Sequence, residues 1–510
     1  MELAAKPAPF SLEWPAILDS IRALVVDSAT PAYLVGGAVR DAVLRRNIHD
    51  LDFATEQDGR RLAKLIADKL DGAYYPLDAD RGVGRAIVKQ DGERFVIDVA
   101  LFRGGTLGDD LAGRDFTINA LAMYMRGDLQ TIIDPLGGLA DLQQKRLRRC
   151  SPASISDDPV RALRAVRQSV ALGLKIEPET RADIRQYGPQ IANASAERVR
   201  DEFMTMLGGP RPHVALRTLD ALGLLAIIIP EVEPMRGVTQ SLPHIYDVWE
   251  HTLYVIERLY GVLNTISPTR TDETAADGAY GMIVYLLDRY RPQLQAHLAE
   301  PLPNGRSSQA LLMLAVLLHD CAKPMTRTVD ETGHIHFHMH EVYGADMALA
   351  RAEALRLSSD EAHRVFGIVR HHMRPIQFEG TGELSRRSIY RYWKATDKIG
   401  VDVGILTLAD YLGTVGVTLV LQNWIAFLQQ IASLLEAYFN ERTTAVAPPP
   451  LITGRDLLEK LGLEPGPEIG RLLNALGEAQ VLNQISTSDE ALELARTLHE
   501  SPQIAEDAEE

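Results

Sequence analysis

The chain has 510 residues, 46% hydrophobic and 24% charged, which is enough for several packed domains of an ordinary folded protein. Its formal net charge of -16 argues against a protein that coats nucleic acid indiscriminately, although a local basic patch can still contact phosphates. Two distant cysteines exclude a disulfide framework, and we find no apolar run near the roughly 18 residues of a membrane span. We therefore expect a cytoplasmic protein without membrane association.

The first motif is a glycine turn between a strand and a helix. In YLVGG (33–37) an apolar strand ends at a double glycine, and AVRDAV continues with helical apolar spacing. Free backbone N–H groups at a helix start favour a bound phosphate. Taken alone, this motif is only weak support for a phosphate site.

Two carboxylates follow on the next predicted strand, HDLDFAT. Because strand side chains alternate, Asp50 and Asp52 share one face while Leu51 and Phe53 point into the core. Adjacent carboxylates repel, so a divalent cation, usually Mg²⁺, explains them better than a merely polar strand end. A further strand, RFVIDVALFR, offers Asp98 as a third carboxylate.

A basic stretch lies between positions 145 and 167. In DDPVRALRAVR the arginines Arg161, Arg164 and Arg167 recur every three residues, which predicts one basic helix face beside an anion. The alternative is a solvated helix face. Asp158 before a proline also suits a helix start, where its carboxylate would cap free N–H groups.

The order of these motifs is specific. GGxVRD, DxD, RDFTxNA, DPxGGxxDL, (E/D)DPxRxLRAxR and SAERxRxE follow one another between Leu34 and Glu202. This order resembles the class II tRNA nucleotidyltransferases and bacterial poly(A) polymerases, which extend RNA 3′ ends without a nucleic-acid template. The resemblance implies CTP and ATP as substrates and the tRNA 3′ end as partner.

The resemblance also implies roles for individual residues of the head. Asp50 and Asp52, with Asp98, would hold Mg²⁺ and activate the RNA 3′ hydroxyl, while Asp158 and Arg161 would read the Watson–Crick edge of the incoming base. The implied nucleotide-binding residues are Gly37, Arg40, Arg114, Asp115, Asn119, Asp158, Arg161, Arg164 and Arg167.

The chain departs from the family pattern in three places. Asp157 stands where the family usually has Glu, and Gly113 replaces the usual arginine before RDFT. Only Gly104 to Gly113 separate ALFR from RDFT, too few residues for the flexible loop that the family links to A addition. This shortening resembles the enzymes that add only two cytidines, and it leaves open whether CC or full CCA is added.

A second constellation follows in a helical region and resembles the HD phosphohydrolase superfamily. Histidines and aspartates from separate helices suit a divalent metal ion, whose identity the sequence leaves open, that activates water for attack on phosphorus. The implied ligands are His251, His319, Asp320, His340, His371 and Asp410, with His372 as an alternative to His371. We expect the additional histidines His334, His336 and His338 at the surface of a hairpin.

Together these features predict an α+β protein whose N-terminal nucleotidyltransferase head, a mixed sheet with helices, precedes mainly α-helical neck, HD and tail domains. The predicted boundaries are a head at 1–140, a neck at 141–235, an HD domain at 236–440 with an insertion at about 261–308, a helical C-terminal segment at 441–497 and a disordered acidic tail at 498–510.

The leading functional hypothesis is an enzyme that adds CC, or full CCA, to the 3′ end of tRNA, with a second metal-dependent phosphohydrolase activity in the HD domain. Bacterial poly(A) polymerase is the nearest alternative because it shares the head motifs. An HD phosphohydrolase or RNA-binding protein with an inactive head is another, which the intact Asp50 and Asp52 argue against.

Overall fold

We describe the protein from a computed structural model, which covers residues 5–28, 30–270, 278–302, 305–378, 380 and 382–500. Within these ranges the chain forms two compact units. The first contains the described residues up to Glu202 together with Thr218–Ile228, and the second contains Phe203–Arg217 and the described residues from Ile229 onward.

The first unit is built on an eight-stranded sheet. Its strands are β1 Ala5–Pro7, β2 Ala32–Val35, β3 Asp50–Thr55, β4 Ala73–Asp78, β5 Val83–Gln90, β6 Glu93–Leu101, β7 Ala122–Tyr124 and β8 Thr131–Ile133. The spatial order is β1-β8-β7-β2-β3-β6-β5-β4, with β3 and β6 parallel and all other neighbours antiparallel. The predicted mixed sheet is confirmed.

The strand β3 shows why the sheet forms from this sequence. Leu51 and Phe53 are buried, whereas Asp50 is exposed and Asp52 is partly exposed, as the period-2 pattern predicts. In the parallel pairing with β6, Asp52 lies opposite Asp98. The strand pairing therefore places the carboxylates of Asp52 and Asp98 side by side on neighbouring strands in the interior of the sheet.

Helices surround the sheet and continue beyond it. Those of the head are Ile17–Asp27, Gly37–Val43, Gly59–Lys69, Leu107–Ala112 and Gly138–Gln143. The following helices are Ser154–Asp157, Val160–Leu172, Pro178–Tyr187, Ala196–Leu207, Pro212–Ala221 and Leu225–Ile228. A short parallel pair, Arg146–Leu147 with Lys175–Ile176, joins the start of this helical region to the end of helix Val160–Leu172.

The second unit is mainly helical. Its helices are Val248–Thr265, Gly278–Leu287, Arg291–Leu298, Ser308–Leu318, Lys323–Thr326, His340–Ala354, Ser359–His371, Arg386–Thr396, Ile399–Val415, Leu421–Phe439, Gly454–Leu461, Pro467–Val481 and Ser488–Glu500. One two-stranded hairpin, Arg327–Val329 with Ile335–Phe337, interrupts them. Helix Ser308–Leu318 is apolar and buried along most of its length, and it ends directly before His319.

One segment differs from the sequence-based expectation. In the described part of the chain, Ile399–Thr418 is long and apolar enough to cross a membrane by length and composition. However, 78% of its apolar window is buried inside the protein, as in the core helix of a globular domain.

The C-terminal helices pack around Leu457, Leu472 and Leu476. Residues 501–510 of the predicted acidic tail, and 271–277 and 303–304 of the predicted insertion, lie outside the described residues.

Candidate active site and metal centre

The carboxylates of β3 and β6 form the acidic part of the head site. Burial raises the pKa of Asp52 to about 6; Arg114 opposes this shift, while the negative charges of Asp98 and Asp50 add to it. Arg85 Nε and Nη2 donate to Asp98 Oδ1 and Oδ2 at 2.7 and 2.8 Å. Asp98 therefore already has a cationic partner, which the sequence analysis missed, while no described residue forms an equivalent ion pair with Asp52.

The glycine turn makes room for an arginine beside Asp52. Gly36 has φ 76°, a conformation that side chains other than glycine rarely adopt. A Cβ at Gly36 would lie 2.8 Å from Arg114 Nη1 and 3.7 Å from Asp52 Oδ2. Arg114 is held there because its Nε and Nη2 donate to Asp110 Oδ2 at 3.1 and 3.0 Å. Gly37, which the sequence analysis named, begins the following helix.

Arg40, Asp115 and Asn119 brace one another. Arg40 Nη1 donates to Asn119 Oδ1 at 2.7 Å, and Asn119 Nδ2 donates to Asp115 Oδ1 at 2.9 Å. The remaining Arg40 nitrogens Nε and Nη2 donate to the Asp41 carboxylate at 2.9 and 2.8 Å. Arg40 thus donates to the side chains of Asn119 and Asp41.

The predicted basic helix face forms, but its charges are balanced by the protein. Arg164 Nε and Arg167 Nε donate to the two oxygens of Glu202 at 3.0 and 2.6 Å. Arg164 Nη1 also donates to Asp115 Oδ2 at 3.2 Å. The positive charges that the sequence spacing places along one helix face are therefore balanced by carboxylates of the protein. The spacing alone does not require an external anion.

Asp158 and Arg161 form hydrogen bonds with different partners. Arg161 is 9% exposed, and its guanidinium donates to the backbone oxygens of Gly113 at 2.9 Å and of Arg114 at 3.2 Å. Asp158 Oδ1 accepts from the backbone N–H of Val160 at 3.3 Å, and Asp158 Oδ2 accepts from Arg198 Nη2 at 2.6 Å. The capping interaction is present, and the second carboxylate oxygen has a surface arginine as partner.

These residues line one cavity of about 1500 Å³ in the first unit. Of the predicted head residues, those lining it are Gly37, Arg40, Asp52, Asp98, Arg114, Asp115, Asn119, Asp158, Arg161, Arg164 and Arg167. Asp50 is exposed at the start of β3, outside the lining. The sequence analysis did not identify Arg198 and Glu202 as part of this wall. The cavity is large enough for a nucleoside triphosphate.

A buried cluster of histidines and aspartates forms in the second unit. His251 Nε2 lies 3.1 Å from Asp410 Oδ1, and His319 Nε2 lies 3.3 Å from Asp320 Oδ2. On the other side of Asp320, its Oδ1 lies 3.5 Å from His340 Nε2. Two sets of ligand atoms are close enough to share a metal ion: one from His251, His319 and Asp320, and one from Asp320, His340 and His372.

The backbone selects the ligand tautomer of three of these rings. The Nδ1 atoms of His319, His340 and His372 each lie 2.7 Å from the carbonyl oxygen three residues earlier. A carbonyl can only accept, so each Nδ1 carries the proton and each Nε2 presents a lone pair to the cluster. Burial, assisted by His340 and His319, lowers the pKa of His372 to about 3, which keeps that ring neutral.

The cluster contains polar atoms without hydrogen-bond partners. Among the described residues, His251 Nε2, His319 Nε2 and Asp410 Oδ1 are buried and face one another without hydrogen-bond geometry. Such groups are costly unless a ligand satisfies them. The donor set, neutral imidazole and carboxylate, is one that a divalent metal ion accepts. Burial would lower the pKa of His319, but Asp320 and Asp410 outweigh it and raise that pKa, so a proton competes with a cation here.

The structure brings His372 rather than His371 to the cluster. His372 is fully buried with its Nε2 3.3 Å from His340 Nε2, whereas His371 Nδ1 accepts from Arg374 Nε at 3.0 Å. Adjacent residues at a helix end point about 100° apart, so only one of the two can face the cluster. His371 therefore leaves the set named from the sequence, and His372 takes its place.

Two residues beside the cluster were missed. Lys323 Nζ lies 2.7 Å from Asp320 Oδ2, and the i, i+3 spacing in HDCAK was a signal for that contact. The His244 ring lies 5.0 Å from the His251 ring, and burial, with Lys323 and His251, lowers the pKa of His244 to about 4. No local pattern marks His244, because a loop carries it to the cluster.

Four family matches cover most of the chain. They are the poly(A) polymerase head domain over residues 32–148, the RNA and SrmB-binding site of polymerase A over 173–236, the HD domain over 279–414 and tRNA nucleotidyltransferase domain 2 over 418–495. Nucleotidyltransferase and HD families generally use divalent metals, which agrees with both clusters described above.

Curated relatives match almost end to end. The A-adding tRNA nucleotidyltransferase of Deinococcus radiodurans is 32% identical over 466 residues, covering 90% of this chain and 94% of the relative. The CC-adding tRNA nucleotidyltransferase of Thermus thermophilus is 31% identical and covers 90% and 92%. A solved CCA-adding enzyme in an apo form shares the fold, with TM-score 0.61, 18% identity and 96% of each chain covered. The chain therefore belongs to the nucleotidyltransferase family of tRNA nucleotidyltransferases and poly(A) polymerases, as its motif order predicted.

Proposed function

We propose that this enzyme adds two cytidines to the 3′ end of tRNA in the cytoplasm, with CTP as substrate and Mg²⁺ as the metal ion of the head. The observation that carries the proposal is the single cavity in which the β3 carboxylate Asp52 faces the arginines of helix Val160–Leu172. The tRNA substrate is supported by the activities of the two curated relatives.

The carboxylate cluster fits Mg²⁺. Asp52 lies opposite Asp98 in the β3–β6 pairing, and burial, with the charges of Asp98 and Asp50, raises its pKa, so a bound cation would stabilise its ionised form. A Mg²⁺ ion held there would supply positive charge that offsets the negative charge of the triphosphate and of the attacking RNA 3′ hydroxyl. Asp50 and Asp52 would hold the ion, and Arg114 would meet a phosphate or ribose oxygen beside Asp52.

The base would be read by side chains instead of a nucleic-acid template. Asp158 can accept from the exocyclic amine of cytosine, and Arg161, already fixed by backbone carbonyls, can donate to a ring nitrogen or carbonyl oxygen. Uracil has no exocyclic amine. Arg198 Nη2 donates to Asp158 Oδ2, the oxygen that the base would use.

The segment between β6 and RDFT supports CC addition over CCA addition. Residues Leu107–Ala112 form a helix capped by Thr106, and Asp110 on this helix is buried and holds Arg114. A flexible loop is therefore replaced by a short ordered helix that braces the active site. Because identities to an A-adding and a CC-adding relative are nearly equal, overall similarity does not decide between them.

The test uses purified enzyme, Mg²⁺ and three tRNA substrates that lack CCA, CA or only the final A. We expect CTP alone to extend the first by two nucleotides and the second by one, and ATP to extend none of them. Addition of one A to tRNA ending in CC would contradict CC specificity, and long A tails would favour a poly(A) polymerase. Asp52→Ala serves as the inactive control.

A second activity is favoured by the buried cluster of the second unit. We propose that His251, His319, Asp320, His340, His372 and Asp410 hold a divalent metal ion. When bound, the ion supplies a water of lowered pKa that attacks a phosphate ester. His319, His340 and His372 use Nδ1 for backbone carbonyls and direct Nε2 at the cluster, and Lys323 adds a positive charge beside Asp320.

A further inference from the structure

The hairpin Arg327–Val329 with Ile335–Phe337 carries a second group of histidines. His334, His336 and His338 alternate along and beyond its second strand, and Asp330 lies in the turn. This group is separate from the buried cluster, because its side chains are partly or fully exposed and none of the four belongs to the two buried ligand sets.

The spacing of two of these rings matches shared coordination of one ion. The ring centroids of His334 and His336 lie 4.7 Å apart with planes inclined by 56°. Two imidazoles bound to one tetrahedral Zn²⁺ through bonds of about 2.0–2.1 Å have centroids roughly 5 Å apart. The ring centroids therefore lie at about the separation of two imidazoles on one ion, and a rotation of the exposed His334 ring completes the approach of its ligand nitrogen.

Asp330 provides a carboxylate on the same side of the hairpin. Its Oδ1 accepts from the Thr332 N–H at 2.9 Å, the Thr332 hydroxyl at 2.7 Å and the His334 N–H at 3.0 Å. Its Oδ2 lies 2.8 Å from His336 Nε2. The turn thus uses one oxygen to fix the carboxylate and aims the other at His336.

The ligand atoms are accessible. The side chains of His336 and Asp330 are 35% and 40% exposed. No ring nitrogen of His334 is hydrogen-bonded to any residue that the structure describes, and rotation of an exposed ring takes only picoseconds to nanoseconds. His338 stacks on His336 with centroids 5.2 Å apart and planes inclined by 10°, which limits movement of the His336 ring.

We propose that His334, His336 and Asp330 form a surface site for a transition-metal dication of the Zn²⁺ type, with water in the fourth position. Two imidazoles and a carboxylate are a ligand set that Zn²⁺ accepts in tetrahedral geometry. Binding replaces the His336–Asp330 hydrogen bond by two metal–ligand bonds and ties both strands of the hairpin together. The site is independent of nucleotide addition by the head.

The test counts Zn²⁺ equivalents by competition with a chromophoric chelator. To remove the buried cluster from the count, the titration uses a His319→Ala/His372→Ala background. We expect the number of equivalents bound by that background to fall by one in His334→Ala/His336→Ala, while Asp330→Asn weakens binding at this site by about tenfold or more. His363→Ala, an exposed histidine elsewhere in the same unit, is the matched control and should keep the equivalent.

Unchanged stoichiometry and affinity in His334→Ala/His336→Ala would overturn the proposal. If the background does not fold, the same pair of hairpin substitutions is made in the otherwise wild-type enzyme. There we expect the count to fall by one equivalent relative to wild type, and an equal count would again overturn the site. A melting temperature equal to that of the parent protein verifies that the hairpin variant is folded.

Discussion

Arg198 Nη2 lies 2.6 Å from Asp158 Oδ2, so the carboxylate proposed to read the base is ion-paired with an arginine that lines the same cavity. Burial alone would raise the pKa of Asp158, but Arg198 and then Arg161 outweigh it and lower that pKa. Asp158 is therefore ionised at neutral pH and ready to accept a hydrogen bond. Arg198, whose side chain is half exposed, has to release the carboxylate when a base approaches.

Replacing Asp158 tests the reading of the base. Asp158→Ala removes the acceptor for the cytosine amine, so discrimination against UTP should weaken by about 1.5–3 kcal/mol for each lost charged hydrogen bond. The measurement is kcat/KM for CTP and for UTP on tRNA lacking CCA. Arg198→Ala is the matched control and should keep the CTP preference, because it frees the carboxylate without removing it.

A purely structural Asp158 has a different signature. Its bond to the Val160 N–H is a helix cap, and loss of a cap costs about 1 kcal/mol of stability without changing nucleotide choice. If the melting temperature of Asp158→Ala falls while the CTP preference is kept, the base-reading role is wrong.

Replacing either β3 carboxylate tests the metal site of the head. Asp50→Ala and Asp52→Ala should each reduce nucleotide addition far below a tenth of wild type, because a lost metal ligand costs several kcal/mol of transition-state stabilisation. Asp68→Ala, an exposed carboxylate in helix Gly59–Lys69, is the matched control. Addition rates at saturating CTP, with circular dichroism to verify folding, decide the question. Residual activity of a tenth or more would refute the metal role.

The raised pKa of Asp52 predicts a pH-dependent stability cost in the metal-free enzyme. The folded state keeps the proton up to about pH 6, whereas an ordinary aspartate releases it near 3.8. The unfolded state therefore binds fewer protons in this range, and the free energy of unfolding falls as pH rises through it. Asp52→Asn cannot ionise and should melt higher than wild type at pH 8 in EDTA.

The same pair of proteins provides the control. The difference in melting temperature should shrink at pH 4.5, where folded Asp52 is mostly protonated. Mg²⁺ at pH 8 should stabilise wild type and have little effect on Asp52→Asn. Equal melting temperatures at pH 8 without metal would show that ionisation of Asp52 does not destabilise the folded state.

The buried cluster of the second unit is tested with histidine variants. His319→Ala should abolish metal-dependent hydrolysis of phosphomonoesters and 2′,3′-cyclic phosphates while nucleotide addition stays near wild type, since the two sites lie in different compact units. The adjacent pair offers a sharper comparison: His372→Ala should lose hydrolysis and metal, whereas His371→Ala should retain both. Equal loss of both activities in His319→Ala would show that the cluster only supports the structure.

The sequence alone predicted the features that depend on local periodicity. Alternation in HDLDFAT placed Asp50 and Asp52 on one face of a strand, and the mixed sheet and helical remainder followed from similar patterns. The motif order also predicted the family, because its short motifs retain their residues and spacing. The strand alternation and each short motif depend only on a few neighbouring residues, so they can be recognised without knowledge of distant contacts.

The tertiary structure decided which side chains meet. Sequence spacing suggested an external anion for Arg164 and Arg167, but Glu202, 35 positions beyond Arg167, balances both. The choice between His371 and His372 depended on the rotation of a helix end relative to the buried cluster, which two adjacent identical residues cannot reveal. Contacts between distant segments depend on how helices and strands pack. They cannot be predicted from one sequence when neither of the two contacting segments carries a recognisable local motif.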